Sequence, residues 1–180
     1  MKTAPSALPR PLKFGGAPHV MRLLHRGDEE RLRAFFHSHT PETIHERYGY
    51  PVADMSFARA SQLVNVDQSK DCCLGIFEAA ADGEILHAVG RYCLDADGRS
   101  AEVAFVVRES KRDLGMATAL LHALTQTARE RSLQSLWAQL SPDNGPMLAV
   151  FRKNDFLFLP LGPEEGVEAR LVLASPRGRR

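Results

Sequence analysis

The stretch Ala101–Leu121, "AEVAFVVRESKRDLGMATALL", decides the fold. Its first seven residues read as a strand with one acid, Glu102, near the start, and Arg108–Gly115 is a charged turn holding a single glycine. From Leu114 to Arg131 the apolar positions Leu114, Ala117, Leu120, Leu121, Leu124 and Ala128 follow the helical period, which leaves His122, Gln126 and Arg129 outward. A turn between a strand and a helix N-terminus exposes backbone N–H groups at the positive end of the helix dipole, so it can hold an anion. Gly115 and Ala117 keep that backbone open to close approach, and Arg112 offers a planar donor fork suited to phosphate. A pyrophosphate is the natural ligand. The loop carries neither the Gly-Lys-Ser/Thr of a Walker A motif nor the Rossmann glycine fingerprint.

Upstream, residues 72–79, 84–95 and 100–108 are apolar or alternating runs separated by turn signals at Asp82-Gly83 and Asp97-Gly98. They read as an antiparallel meander. Before them, residues 19–25 make a first strand, and residues 27–39 make a helix with Leu32, Phe35 and Phe36 at helical spacing. Thr40 as N-cap and Pro41 as first helical residue open a second helix that Gly49 and Pro51 stop, and Ser56 caps a third. Downstream come a strand over 132–141, a short helix over 146–154 and a final alternating strand over 167–173. This order predicts an α/β (α+β) fold: a mixed, mainly antiparallel sheet of six to seven strands with helices on both faces. A dinucleotide fold would instead begin with the strand–turn–helix unit and continue in parallel.

With 180 residues, 44% of them hydrophobic, the chain has the size and apolar content of one globular domain. Residues 1–18, rich in Pro, Gly and basic side chains, read as a flexible arm, 19–174 as the domain, and 175–180 as a disordered basic tail. A net charge of +1 argues against a general nucleic-acid partner, and no segment reads as a signal peptide or membrane anchor. Cys72, Cys73 and Cys93 have neither metal-ligand nor Cys-x-x-Cys spacing, so a reducing cytoplasm without a disulfide framework is expected.

"RDLGMA" (Arg112–Ala117) and "NGPMLAVFRKNDF" (Asn144–Phe156) together resemble the GNAT superfamily of acyl-CoA-dependent N-acyltransferases: the first its Arg/Gln-x-x-Gly-x-Gly/Ala loop, the second its later Asn-containing helix motif. The likeness runs from the first strand to the last. "TPETIHERYG" and "AEVAFVV" bring it closest to the branch holding protein-lysine acetyltransferase domains and domains fused to CoA-handling enzymes. The resemblance implies acetyl-CoA as cosubstrate, no metal, and a strand ending near Val107 that splays from the strand holding Trp137 to admit the pantetheine arm. Carried over by position, backbone groups of Phe105 and Val107 bind pantetheine and polarise the thioester. The loop residues Arg112, Asp113, Leu114, Gly115, Met116, Ala117 and Thr118 hold the pyrophosphate.

Glu102 then suits a general base, because an ammonium ion must lose a proton before attacking a thioester, and burial in an apolar strand would raise its pKa. The alternative is a plain cross-strand pair with Arg91. Asn144 either touches pantetheine or caps the helix after it, Phe151 stands where many relatives have a Tyr acid, and Asp113 and Asp155 replace glycines common in the family. His37 and His39 lack a third metal ligand, Cys72 and Cys73 read as packing residues, and Trp137 as a core residue. The expected activity is direct acetyl transfer to a primary amine, on a protein lysine or a small molecule. A non-catalytic acyl-CoA-binding sensor is the rival reading, and a nucleotide-binding domain a third. The sequence leaves the oligomeric state open, a homodimer being compatible with it.

Overall fold

The computed structural model describes residues 8–48, 54–162 and 166–173. The chain runs β1 (Arg10–Phe14), β2 (Ala17–Leu23), α1 (Glu29–Phe36), α2 (Pro41–Tyr48), α3 (Phe57–Val64), β3 (Cys72–Ala80), β4 (Gly83–Leu94) and β5 (Ser100–Val107). It continues through α4 (Met116–Glu130), β6 (Ser135–Leu140), α5 (Gly145–Lys153), β7 (Leu157–Gly162) and β8 (Gly166–Val172). One sheet of eight strands, in the order β1-β2-β3-β4-β5-β6-β8-β7, carries them all. Only the β5–β6 pair, joined through α4, is parallel.

The sheet is thus mixed and mainly antiparallel, as expected, but larger than six to seven strands. The two additions, β1 and β7, form its edges and carry Pro11 and Pro160. Proline removes a ladder donor and weakens the strand signal, yet an edge tolerates it. Residues 10–18 therefore belong to the sheet rather than to a loose arm; residues 1–7 and 174–180, the latter holding the expected basic tail, lie outside the described residues.

Both faces of the sheet are covered. Cys72, Leu74 and Ile76 of β3 turn to the core under α4 and α5, while Cys73 and Phe77 turn to the core under α1 and α3. The alternation is the two-residue period of a strand buried on both sides. Gly90 of β4 lets α4 lie close, since a Cβ there would sit 3.1 Å from the Leu120 Cβ. His122, Gln126 and Arg129 are exposed, as the helical period predicts, but α4 begins at Met116 and leaves Leu114 outside it, against Gly15 of the β1–β2 turn.

Helix ends follow their sequence signals. Thr40 Oγ1 accepts the Thr43 N–H at 3.3 Å, Ser56 Oγ accepts the Arg59 N–H at 3.2 Å, and Pro41 is the first residue of α2. At the end of α5, Phe156 N–H donates to the Phe151 carbonyl and Asp155 N–H to that of Arg152, a Schellman motif closed by ring contact between Phe156 and Phe151. Asp155 holds the left-handed position, φ 63°, that such a motif normally gives to glycine.

Candidate active site

β5 and β6 pair over three residues only: Ser100 with Ser135, Ala101 with Leu136, Glu102 with Trp137. Beyond that rung the strands part, and a cleft of 670 Å³ opens between residues 103–107 of β5 and 138–140 of β6. Its size is that of a small-molecule site. The Arg108 N–H donates to the His87 carbonyl on the β4 side. Backbone groups alternate sides along a strand, so those of Phe105 and Val107 point the other way, into the cleft.

The floor continues into the loop before α4. Glu109–Lys111 make a single 3-10 turn, Arg112 is extended, and Asp113 and Gly115 both adopt left-handed backbone, φ 61° and 87°. Gly115 is the N-cap residue of α4, no side chain caps the helix, and its first turn holds no acid. The N–H groups there face the cleft, whose lining includes Arg112, Asp113, Gly115, Met116, Ala117 and Thr118. Leu114 is the one expected loop residue outside the lining. α5 forms the other wall, with Asn144 Oδ1 accepting the Met147 N–H at 3.2 Å, so the cap is made.

Glu102 reaches the cleft but is exposed rather than buried, because its position on β5 turns it away from the α4 core that takes Ala101 and Val103. Nor does it pair with Arg91. The register sets Cys93 opposite Glu102 and Ala104 opposite Arg91, and the Arg91 guanidinium lies 2.6 Å from the Cys93 sulfur. Trp137 shares the Glu102 face, half-buried, with its indole N–H donating to Asp95 at 2.8 Å instead of packing in the core. Phe151 is fully buried between Phe105 and Phe156, with ring centroids 5.2 and 4.8 Å away.

Two anchored cations flank the loop, and neither bond was legible in the sequence. Arg112 Nη2 donates to Thr43 Oγ1 of α2 at 2.7 Å, across 69 residues of chain. Lys111 Nζ donates to Glu78 at 2.9 Å, on the carboxylate oxygen that also receives His87 Nε2 at 2.7 Å. His19, Glu78 and His87 form the one cluster of metal-ligating type among the described residues, but the Lys111 ammonium already supplies its cation. Lys111 and His87 hold the Glu78 carboxyl below the usual range, and burial holds the His87 imidazole below its own. His37 and His39 do not form a metal pair: they lie 3.1 Å from Asp54 and 3.0 Å from Glu109. Cys72 and Cys73 are buried, and burial pushes the Cys72 thiol up to about 12.

The model of the family described as "Acetyltransferase (GNAT) domain" matches residues 12–157. The chain belongs to the GNAT acetyltransferase family. It is an acetyl-CoA-dependent acyltransferase by that membership. An acetyltransferase of Pseudomonas aeruginosa is 26% identical to it over 131 residues, 72% of this chain and 70% of that protein. Among solved structures, the GNAT domain of PAT from S. lividans superposes with a TM-score of 0.83 at 24% identity, covering 95% of this chain and 100% of that one. The Salmonella typhimurium protein yncA, described as a putative acetyltransferase solved with acetyl-CoA, gives 0.70 at 14% identity, over 89% and 96%. The fold is shared with both.

Proposed function

We propose that the chain transfers an acetyl group from acetyl-CoA to a primary amine, a protein lysine or a small amine, by direct attack with Glu102 as general base. The observation that carries this reading is the end of the β5–β6 ladder at Glu102 and Trp137, which puts a carboxylate at the apex of a cleft whose far end is an uncapped helix N-terminus. The residues present suit acetyl-CoA. Outward-facing N–H groups of Phe105 and Val107 match a pantetheine amide, and the amides of 115–118 with the remaining N–H groups of Arg112 match a pyrophosphate.

Bound acetyl-CoA supplies a thioester carbonyl for the amine to attack. Glu102 takes the proton that the ammonium must shed, directly or through water, and its exposure leaves it open to an incoming acceptor. Backbone N–H groups of β5 receive the negative charge that develops on the carbonyl oxygen. As the C–N bond forms and the C–S bond breaks, the departing thiolate, whose conjugate pKa is about 8.5, is a fair leaving group without an acid. Phe151 has no proton to give, so water or solvent-facing side chains complete that transfer.

The buried free thiols support a cytoplasmic setting. Among the described residues no helix is long and apolar enough to cross a membrane. Incubation of the purified protein with acetyl-CoA and a panel of amines and lysine-bearing proteins tests the reading. Acceptor-dependent release of CoA is expected; binding of acetyl-CoA without transfer to any acceptor would overturn it.

A further inference from the structure

The loop before α4 is tied to α2 by two of its own side chains, three residues apart. Glu109 Oε1 accepts the backbone N–H of Thr40, the N-cap residue of α2, at 3.1 Å, and Oε2 lies 3.0 Å from His39 Nδ1. Arg112 reaches the same end of the helix through the buried Thr43 hydroxyl. An acid from a distant element thus occupies the positive end of α2. Against the upward push of burial, the N–H of Thr40, the Thr43 hydroxyl and the neighbouring His39 help hold the Glu109 carboxyl down at about 2.

α2 needs such an anchor. Eight residues are too few for a helix to persist alone in water, and among its described side chains, 41–45, only Thr43 is buried and Ile44 is half-buried. Thr43 is also the one residue of α2 in the cleft lining among the described residues. Arg112 is half-exposed, and beyond its bond to Thr43 and its approach to Glu109, its guanidinium N–H groups make no hydrogen bond among the described residues. It can therefore grip a phosphate while keeping Thr43.

We infer that Glu109 is a positioning residue that couples the cofactor loop to α2, so that filling the loop fastens the helix against the cleft. The coupling rests on the reading of the loop as the CoA pyrophosphate site. Glu109 does not itself line the cleft. Its effect passes through Thr40, His39 and, by way of Arg112, Thr43.

Hydrogen exchange of the peptide covering 41–48, with and without CoA, tests the coupling. In the wild type, CoA should slow exchange of α2 about tenfold or more. In Glu109→Ala, α2 should exchange fast with or without CoA, and the Kd for CoA should weaken by up to about tenfold, the factor by which CoA protects α2 in the wild type. Glu109→Gln, which keeps the acceptor for the Thr40 N–H, should restore part of the protection. Thr43→Val, isosteric and lacking the hydroxyl, should weaken the CoA response through Arg112 and stands in if Glu109→Ala fails to fold. Undiminished CoA-dependent protection of α2 in Glu109→Ala, or in Thr43→Val where that variant stands in, would overturn the inference. So would CoA binding to the wild type with no change in α2. Failure of the wild type to bind CoA at all would instead count against the loop assignment itself.

Discussion

Glu102 stands level with Trp137 on the last rung where β5 touches β6, and one residue further on the two strands have parted. The carboxylate is fixed to the apex of the cleft by ladder geometry, not by partners of its own. Glu102→Gln preserves shape and removes the basic site. Turnover should fall about 10²-fold or more, the usual worth of a positioned base, with the Kd for acetyl-CoA unchanged. Steady-state kinetics beside a binding titration checks this, and full turnover in the variant at neutral pH removes Glu102 from the mechanism.

Asp113 and Asp155 both sit at positive φ, 61° and 63°, where a side chain meets its own backbone. Asp155→Gly should stabilise the fold by about 0.5–1 kcal/mol, the strain relieved less the added freedom of the unfolded chain. Asp113→Gly should act in the same direction and, by removing a carboxylate from the cleft, tighten CoA binding as well. Thermal melts read the first effect and titration the second. Asp155→Ala, which keeps the Cβ, should show no gain.

Asp28 is wholly buried beside α1, where Arg22 holds both its oxygens at 2.8 and 2.9 Å and Arg31 reaches one at 3.3 Å. Arg22 itself lies over the Phe77 ring, 3.7 Å from its centroid. Asp28→Asn would remove one of two counter-charges of that guanidinium, since Glu84 lies 2.7 Å from it. A loss of about 2 kcal/mol is expected, as for weakened charge-assisted hydrogen bonds, and urea denaturation measures it.

The Glu109 carboxyl titrates at about 2 in the fold against an ordinary 4.5. A depressed carboxyl adds stability above its unfolded pKa, so its contribution is full above pH 4.5 and disappears as the pH falls toward 2. Urea midpoints should therefore drop between pH 4.5 and 3 in the wild type and drop less in Glu109→Gln. Parallel slopes for the two proteins would show that the acid dependence comes from elsewhere.

Burial should silence two of the three thiols. Cys72, pushed up to about 12, and the buried Cys73 should resist alkylation at pH 8 in the native protein, while the half-buried Cys93 reacts. Mass spectrometry after limited labelling counts them. All three should react once the chain is unfolded in guanidinium.

Much of the fold could be read from local pattern. The meander, α4, the capped starts of α2 and α3, and the turn before α4 all follow from period, turn residues and capping residues within a few positions of one another. The edge strands β1 and β7 escaped because Pro11 and Pro160 argue against a strand until the neighbours show that the proline lies at an edge. The burial expected of Glu102 failed for a related reason. Alternation fixes that Glu102 and Val103 face opposite ways, but only the placement of α4 shows which side is core.

By itself the sequence determined most of the elements, their order and the strand–turn–helix unit at the head of α4, because each depends on backbone geometry that short stretches encode. The tertiary structure decided where β5 leaves β6, which face of Glu102 meets solvent, and that Arg112 and Glu109 clasp α2 across some 69 and 70 residues of chain. Those are relations between segments far apart in sequence. No local period carries them, since they come into being only when the sheet twists and its helices settle on their two faces.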